Sequence, residues 1–140
     1  IKPLLDSIAL QQNVDLANDV GVIIVNDGSN IKLSEEKLRA QYPFFLKYVE
    51  AEHRGVSATR NRALDESDAD YVIFCDADDM FYNLCGLYII FREINNGGFD
   101  TLISAFVEET RNQMNKNEVV YITHQMDSTF VHVKFITEIF

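Results

Sequence analysis

The sequence predicts an α/β fold with a mixed, mainly parallel sheet, and three observations carry that prediction. Val20 to Val25 is a near-continuous aliphatic run, the pattern of a parallel strand covered on both faces. Helical and strand patterns alternate for about the first two thirds of the chain, as in doubly wound proteins. Three strand candidates each run into a polar cluster: Asp27-Gly28-Ser29, His53-Arg54-Gly55 and Asp76-Ala77-Asp78-Asp79. In sheets of this kind, ligands bind beyond the carboxyl ends of the strands.

Lys2 to Gln12 reads as the first helix, with Pro3 in its first turn and Leu4, Leu5 and Ile8 on one face. Asn13 to Asp19 is polar and loop-like. After the aliphatic strand, Asn26-Asp27-Gly28-Ser29-Asn30 is a dense turn signal. Ser34 suits the N-cap of a short helix with Glu35 and Glu36 in its first turn, where the helix dipole favours them. Phe44 to Glu50 is the second strand, and Ser57 is expected to cap a helix through Glu66. Tyr71 to Cys75 is the third strand and reads as buried. Phe81 to Ile94 forms the next helix, with Leu84, Leu87, Tyr88 and Phe91 on one face, and Asn95-Asn96-Gly97-Gly98 ends it. Beyond it, Thr101 to Val107 and Val119 to Thr123 predict an antiparallel hairpin, with a further short strand at Thr129 to Val133.

A chain of 140 residues with 47% hydrophobic content fits one domain, residues 1–140, with room for a real core. Ten Phe and six Tyr exclude a disordered chain. The net charge of −10 argues against a nucleic-acid partner. An acidic chain that binds an anion must gather its few arginines locally or use a metal. No apolar run reaches the ~20 residues of a membrane span, so the expectation is a cytoplasmic protein, extending to one working at the inner face of the membrane. Cys75 and Cys85 lack CxxC spacing and read as reduced structural residues.

The Asp76 cluster is the chemical centre of the sequence. Two like charges ~4 Å apart repel by about 4 kcal/mol at an effective dielectric near 20. Three carboxylates within four positions therefore stay solvated or await a cation. Mg²⁺ and Mn²⁺ take oxygen ligands, commonly one or two carboxylates plus substrate phosphates. Arg54, Arg60 and Arg62 gather where the helix after Gly55 begins, although the dipole disfavours cations there. They make sense if an anion or the Asp76 cluster faces them; pairing with Asp65, Glu66 or Asp68 is the plainer reading for Arg62.

With these residues in view, the chain resembles a family 2 glycosyltransferase of the GT-A fold, a Rossmann-like three-layer sandwich that uses nucleotide-diphospho-sugars. The carriers are Val22-Ile23-Ile24-Val25-Asn26-Asp27-Gly28-Ser29, then His53-Arg54-Gly55-Val56-Ser57-Ala58-Thr59-Arg60-Asn61, then Phe74-Cys75-Asp76-Ala77-Asp78-Asp79. The second of these is similar to the family pattern N-x-G-x-[SG]-x-A-R-N. The third is its Asp-x-Asp strand end.

The resemblance implies a metal-dependent, inverting transfer from a nucleotide-diphosphate sugar, with a uridine donor expected, to a glycan, lipid or protein acceptor in polysaccharide biosynthesis. It implies a donor site at Asp27, Gly28, Ser29, Arg60, Asp76, Ala77 and Asp78. Asp27 would meet the base, Arg60 the base or diphosphate, and Asp76 and Asp78 the ribose and a divalent Mn²⁺ or Mg²⁺. His132 is a further metal-ligand candidate by its resemblance to a His-Gly-Lys segment, with Val133 standing in place of the glycine. Family members begin with a strand absent here and carry a general base expected beyond residue 140; Glu109, beside Glu108, is the fallback. Asn26 stands where an Asp is common and Thr59 where Ala is common. Two alternative readings stand beside it: a non-catalytic nucleotide-sugar or metal-binding domain of a larger synthase, and a haloacid-dehalogenase-type phosphatase with Asp76 as nucleophile. The latter motif prefers Thr or Val where Met80 stands. An EF-hand is excluded, because Phe81 and Leu87 replace the required Gly and Glu.

Overall fold

A computed structural model describes residues 1–96 in full, together with the backbone of Phe106–Arg111, Asn117–Ile122 and Phe135–Ile139. The chain forms α1 (Lys2–Ala9), α2 (Leu16–Asp19), β1 (Gly21–Asp27), α3 (Glu35–Gln41), β2 (Phe45–Ala51), α4 (Val56–Asp65), β3 (Ile73–Phe74) and α5 (Gly86–Asn96). Three strands follow, β4 (Phe106–Arg111), β5 (Asn117–Ile122) and β6 (Phe135–Ile139). The main sheet runs β2-β1-β6-β3 with all neighbours parallel. An antiparallel pair is present as β4 and β5, with β4 running on to Arg111, past the expected end at Val107, and the pair makes a separate two-stranded sheet.

The aliphatic run becomes the heart of the molecule because both of its faces are covered. Val22 and Ile24 point into a cluster with Leu4, Leu5 and Ile8 of α1, Leu46, and Leu87 and Ile94 of α5. Ile23 and Val25 point the other way, onto Val49 and Ala63 of α4. All four β1 side chains are fully buried, each contributing about 1.5–3 kcal/mol of transfer free energy by its burial. Helices on both faces of a parallel sheet make this the α/β sandwich that the sequence predicted.

Several boundaries differ from expectation. α1 stops at Ala9, and Gln11 instead turns inward. Its Nε2 donates to the carbonyls of Ser7 and Asn83, and its Oε1 accepts from the Leu87 N–H. That amide supplies a partner to the start of α5, which begins at Gly86 rather than Phe81. Leu84 and Tyr88 are exposed, and Leu87 and Ile94 are the buried residues of this helix. Within the supposed loop 13–19, Asp15 caps the short α2 through the N–H groups of Ala17 and Asn18.

The third strand is the largest correction. Only Ile73 and Phe74 pair, both with β6, and Phe74 is exposed. Five strand-forming residues do not make a buried strand at a sheet edge, where one side has no neighbour among the described residues. β6 itself was not predicted: it lies between β1 and β3, with Ile136 level with both Ile23 and Phe74. The strand expected at residues 129–133 lies outside the described residues, as does His132.

Candidate functional site

Parallel pairing brings the carboxyl ends of β1, β2 and β3 to one edge of the sheet, and the three polar clusters with them. Asp27 closes β1 in register with Ala51 at the end of β2. Phe74 stands level with Ile23 across β6, so Asp76 emerges two residues later on the same side of the sheet.

The β1 end is built inward. Asn26 is buried, and its Oδ1 accepts from the Ser29 N–H at 2.7 Å. Its Nδ2 lies 3.0 Å from the Ile31 carbonyl and 2.8 Å from the Tyr48 hydroxyl. This residue therefore shapes the turn. Asp27 is equally buried, with 1% of its side chain exposed. Its Oδ1 accepts from the Arg54 N–H at 3.0 Å, and its Oδ2 from the Gly55 N–H at 3.2 Å. The His53 ring nitrogen Nδ1 lies 3.0 Å from the same Oδ2 and 3.1 Å from the Asp27 carbonyl oxygen. Burial by itself raises the Asp27 pKa. The Arg54 N–H, the Thr59 hydroxyl and His53 together outweigh it and hold the carboxyl below its ordinary value.

Gly28 and Gly55 are glycines for geometric reasons. Both have φ of +84°, which side-chain-bearing residues rarely adopt. A Cβ on Gly28 would also stand 3.0 Å from the His53 Cβ. Gly55, not Ser57, is the N-cap of α4, and its carbonyl accepts from the N–H of Thr59 and from the Thr59 hydroxyl. The side-chain cap expected of Ser57 is absent because the positive-φ Gly55 starts the helix two residues earlier. Asp27, from a neighbouring strand, holds the loop that leads into this helix.

The β3 end is built outward. Arg60 Nη2 reaches Asp76 Oδ1 at 3.0 Å, and its guanidinium lies 5.6 Å from the Phe74 ring centroid. The other two arginines take the plainer course: Arg54 pairs with Glu52 at 2.9 Å, and Arg62 pairs with Glu66 one turn along α4. Asp79 turns back to accept from the Asp76 N–H at 3.2 Å. Asp78 is exposed and makes no hydrogen bond or ion pair among the described residues. Burial pushes the Cys75 thiol up to about 12, and the charges of Asp79 and Asp76 add to the shift. It stays a protonated, structural thiol, and neither cysteine forms a disulfide.

Among the described residues, no three His, Cys, Asp or Glu side chains converge as a cage for a metal ion. A hard divalent ion shared with a diphosphate does not need one, since it keeps waters and takes one or two carboxylates. The donor chemistry at the end of β3 fits that requirement. Asp78 is uncommitted, and Asp76 spends one oxygen on Arg60 while 58% of its side chain is exposed.

Of the residues singled out from sequence, the structure brings Asp27, Gly28 and Ser29 together beside loop 53–55, and Arg60 together with Asp76, Ala77 and Asp78. Glu109 belongs to the separate β4–β5 pair. Sequence reasoning missed the bond between His53 and Asp27 and the buried hydroxyl of Thr59. The signal was there in part, because the ends of adjacent parallel strands must lie side by side. A groove of about 850 Å³ opens at the opposite, amino ends of the strands, lined among others by Asp19, Phe45, Lys47, Asp68 and Tyr71. It shares no residue with the carboxyl-end clusters.

Comparison with known proteins bears on what this edge is for. Residues 1–138 match the family model of glycosyl transferase family 2. The chain is 33% identical over 76 residues to an uncharacterized glycosyltransferase of Rickettsia bellii, covering 54% of this chain and 11% of that protein. It is 34% identical over 80 residues to glycosyltransferase GlyA of Streptococcus pneumoniae, covering 56% and 11%. It is 29% identical over 91 residues to the cholesterol galactosyltransferase of Borreliella burgdorferi, covering 63% and 25%. The matched part thus spans between a tenth and a quarter of these relatives' lengths. No solved structure matches the chain. A match across nearly the whole chain, on a parallel α/β sheet with the three clusters at one edge, means that the chain belongs to glycosyl transferase family 2 and carries its GT-A fold.

Proposed function

We propose that this chain binds a nucleoside-diphosphate sugar across the carboxyl edge of its sheet and supports metal-assisted, inverting glycosyl transfer from it. The observation that carries the reading is the exposed Asp76–Asp78 pair beside Arg60, at the same sheet edge as the turn Asp27-Gly28-Ser29. Carboxylates crowded next to a cation, with one left unpartnered, suit a site that takes a divalent ion and a phosphate together. Asp76 and Asp78 would hold Mn²⁺ or Mg²⁺, which when bound stabilises the charge developing on the departing nucleoside diphosphate.

The chain's own groups do the rest. Arg60 is held by Asp76 and by the face of Phe74, so its guanidinium is already oriented when an anion arrives. The Ala77 backbone keeps the two carboxylates two residues apart on one turn. Gly28 and Ser29 leave the β1 end low, so that the nucleoside can approach the backbone. The acceptor hydroxyl of a glycan, lipid or protein loses its proton as it attacks, with Glu109 the fallback for that role. Uridine is the expected base, and a cytosolic donor sets the work on the cytoplasmic side. Among the described residues, no helix is long and apolar enough to cross a membrane.

The test is calorimetric binding of UDP with and without Mn²⁺. Binding should require the metal, and Asp78→Asn should weaken it at least tenfold without lowering thermal stability. Metal-independent binding, or an unaffected Asp78→Asn variant, would remove the metal from this reading. Transfer of the labelled sugar from a nucleotide sugar to an acceptor, with release of UDP, separates turnover from binding alone.

A further inference from the structure

Among the described residues β2 is a border strand of the main sheet, paired only with β1. Its seven residues of extended chain turn a row of backbone groups outward, and such a row is a template for another strand. In a strand paired on one side, alternate residues send their N–H and C=O to that side and to the other. Leu46, Tyr48 and Glu50 are the residues that point away from β1, because the Leu46 carbonyl and the Tyr48 N–H both meet side chains of α3.

Those side chains form one unit. Arg39 Nε donates to the Leu46 carbonyl at 2.7 Å, and Glu35 Oε2 accepts from the Tyr48 N–H at 2.7 Å. The guanidinium and the carboxylate are joined to each other at 2.9 Å, one turn apart on the helix. A single residue of a further parallel strand would bond the same two groups, its N–H to the carbonyl and its C=O to the N–H. Arg39 and Glu35 thus bring the donor and the acceptor of a strand residue without a strand. The guanidinium also lies 5.2 Å from the ring centroid of Phe45, which is 49% exposed. At the other border, β3 pairs over only two residues and offers little length for addition.

We propose that Glu35 and Arg39 act as a surrogate strand that closes the β2 edge, and that this edge pairs with a second copy of the chain when they are withdrawn. A second copy fits because the edge is self-complementary about a two-fold axis. Antiparallel pairing centred on Tyr48 lets the two Tyr48 residues exchange both backbone bonds. It sets Leu46 opposite Glu50, Lys47 opposite Val49 and Phe45 opposite Ala51. No like charges then face each other across the pair. The β2 border lies across the sheet from Asp76 and Asp78, so the inference goes beyond the proposed function and does not depend on it.

The test follows mass by light scattering over a concentration series, together with amide hydrogen exchange at Tyr48. Glu35→Ala with Arg39→Ala removes both groups. Glu35→Arg with Arg39→Glu keeps an ion pair and the net charge but sets a donor against the Tyr48 N–H and an acceptor against the Leu46 carbonyl. Glu35→Gln keeps the acceptor and is the control. The unaltered chain and Glu35→Gln should hold a constant mass, with Tyr48 protected at every concentration. The alanine pair and the swapped pair should each double in mass as concentration rises. In dilute solution their Tyr48 amide should exchange about tenfold faster than in the unaltered chain, and protection should return on association. Constant mass in both folded variants, or association that leaves the Tyr48 amide open, overturns the inference. So does an unaltered chain that grows in mass as the variants do. A swapped pair that behaves like the unaltered chain makes Glu35 and Arg39 an ordinary surface ion pair and overturns it as well. If circular dichroism shows the alanine pair unfolded, Glu35→Met, which lacks only the acceptor, takes its place under the same outcomes.

Discussion

Aspartates close two strands of the same sheet, and their environments are opposite. At the end of β1, Asp27 is buried and spends its charge on two backbone N–H groups and an imidazole. At the end of β3, Asp76 and Asp78 face solvent, one bound to a single arginine and the other to nothing among the described residues. The first is an anchor, and the second is left open to solvent. The difference follows from position in the sheet. β1 has a strand on each side, so the loop after β2 can fold over its end; β3 is a two-residue edge strand that pairs on one side only among the described residues.

That contrast makes stability and binding separable. Asp27→Ala should have the largest cost, about 3 kcal/mol in urea denaturation, because it strands buried N–H groups without an acceptor. If it unfolds no more readily than Asp78→Asn, the contrast is wrong. The Asp27 carboxyl is held below its ordinary pKa, so its contribution is present above the unfolded-state value and is lost as the pH falls through the lower folded-state value. Stability followed by circular dichroism should therefore drop on acidification below the ordinary carboxylate range, and Asp27→Asn should flatten that drop.

Gly28→Ala comes next, at about 1–2 kcal/mol, since it combines a positive φ with a 3.0 Å approach to the His53 Cβ. Its thermal denaturation midpoint should fall measurably below that of the unaltered chain. At the β3 end the stability effects shrink. A double-mutant cycle of Arg60→Ala with Asp76→Asn should return a coupling below about 1 kcal/mol, as for other exposed pairs. Arg60→Ala should still weaken UDP binding, and loss of folding instead would make Arg60 a structural residue. Asp78→Asn should be the mildest for folding, within about 0.5 kcal/mol, while abolishing the Mn²⁺ dependence of UDP binding. A large loss of stability there would mean that Asp78 has a structural partner.

Much of the architecture was legible because it depends on short-range patterns. Val22 to Val25 announced a doubly covered strand by its unbroken aliphatic character, and all four residues are buried. Ser34 announced the start of α3, and its hydroxyl does accept from the Lys37 N–H. Three turn-rich clusters announced which edge of the sheet to inspect. The fate of Tyr71 to Cys75 was not legible in the same way, because a strand-forming run looks alike in the middle of a sheet and at its border. Nor was the start of α5, which depends on the Gln11 amide, 76 residues before its partner in space is reached along the chain.

What the order of residues determined alone was local: where the chain extends, where it coils, where it turns, and which turns carry carboxylates and arginines. Those outcomes rest on backbone sterics and the period of apolar side chains, which act over a few residues. Only the tertiary structure decided that β6 enters the sheet between β1 and β3, and that His53 closes over Asp27 while Asp78 stays open. Each of those outcomes depends on a contact between segments far apart in the chain. A carboxylate's availability is fixed by whichever distant donors reach it first, and no neighbouring residue carries that information.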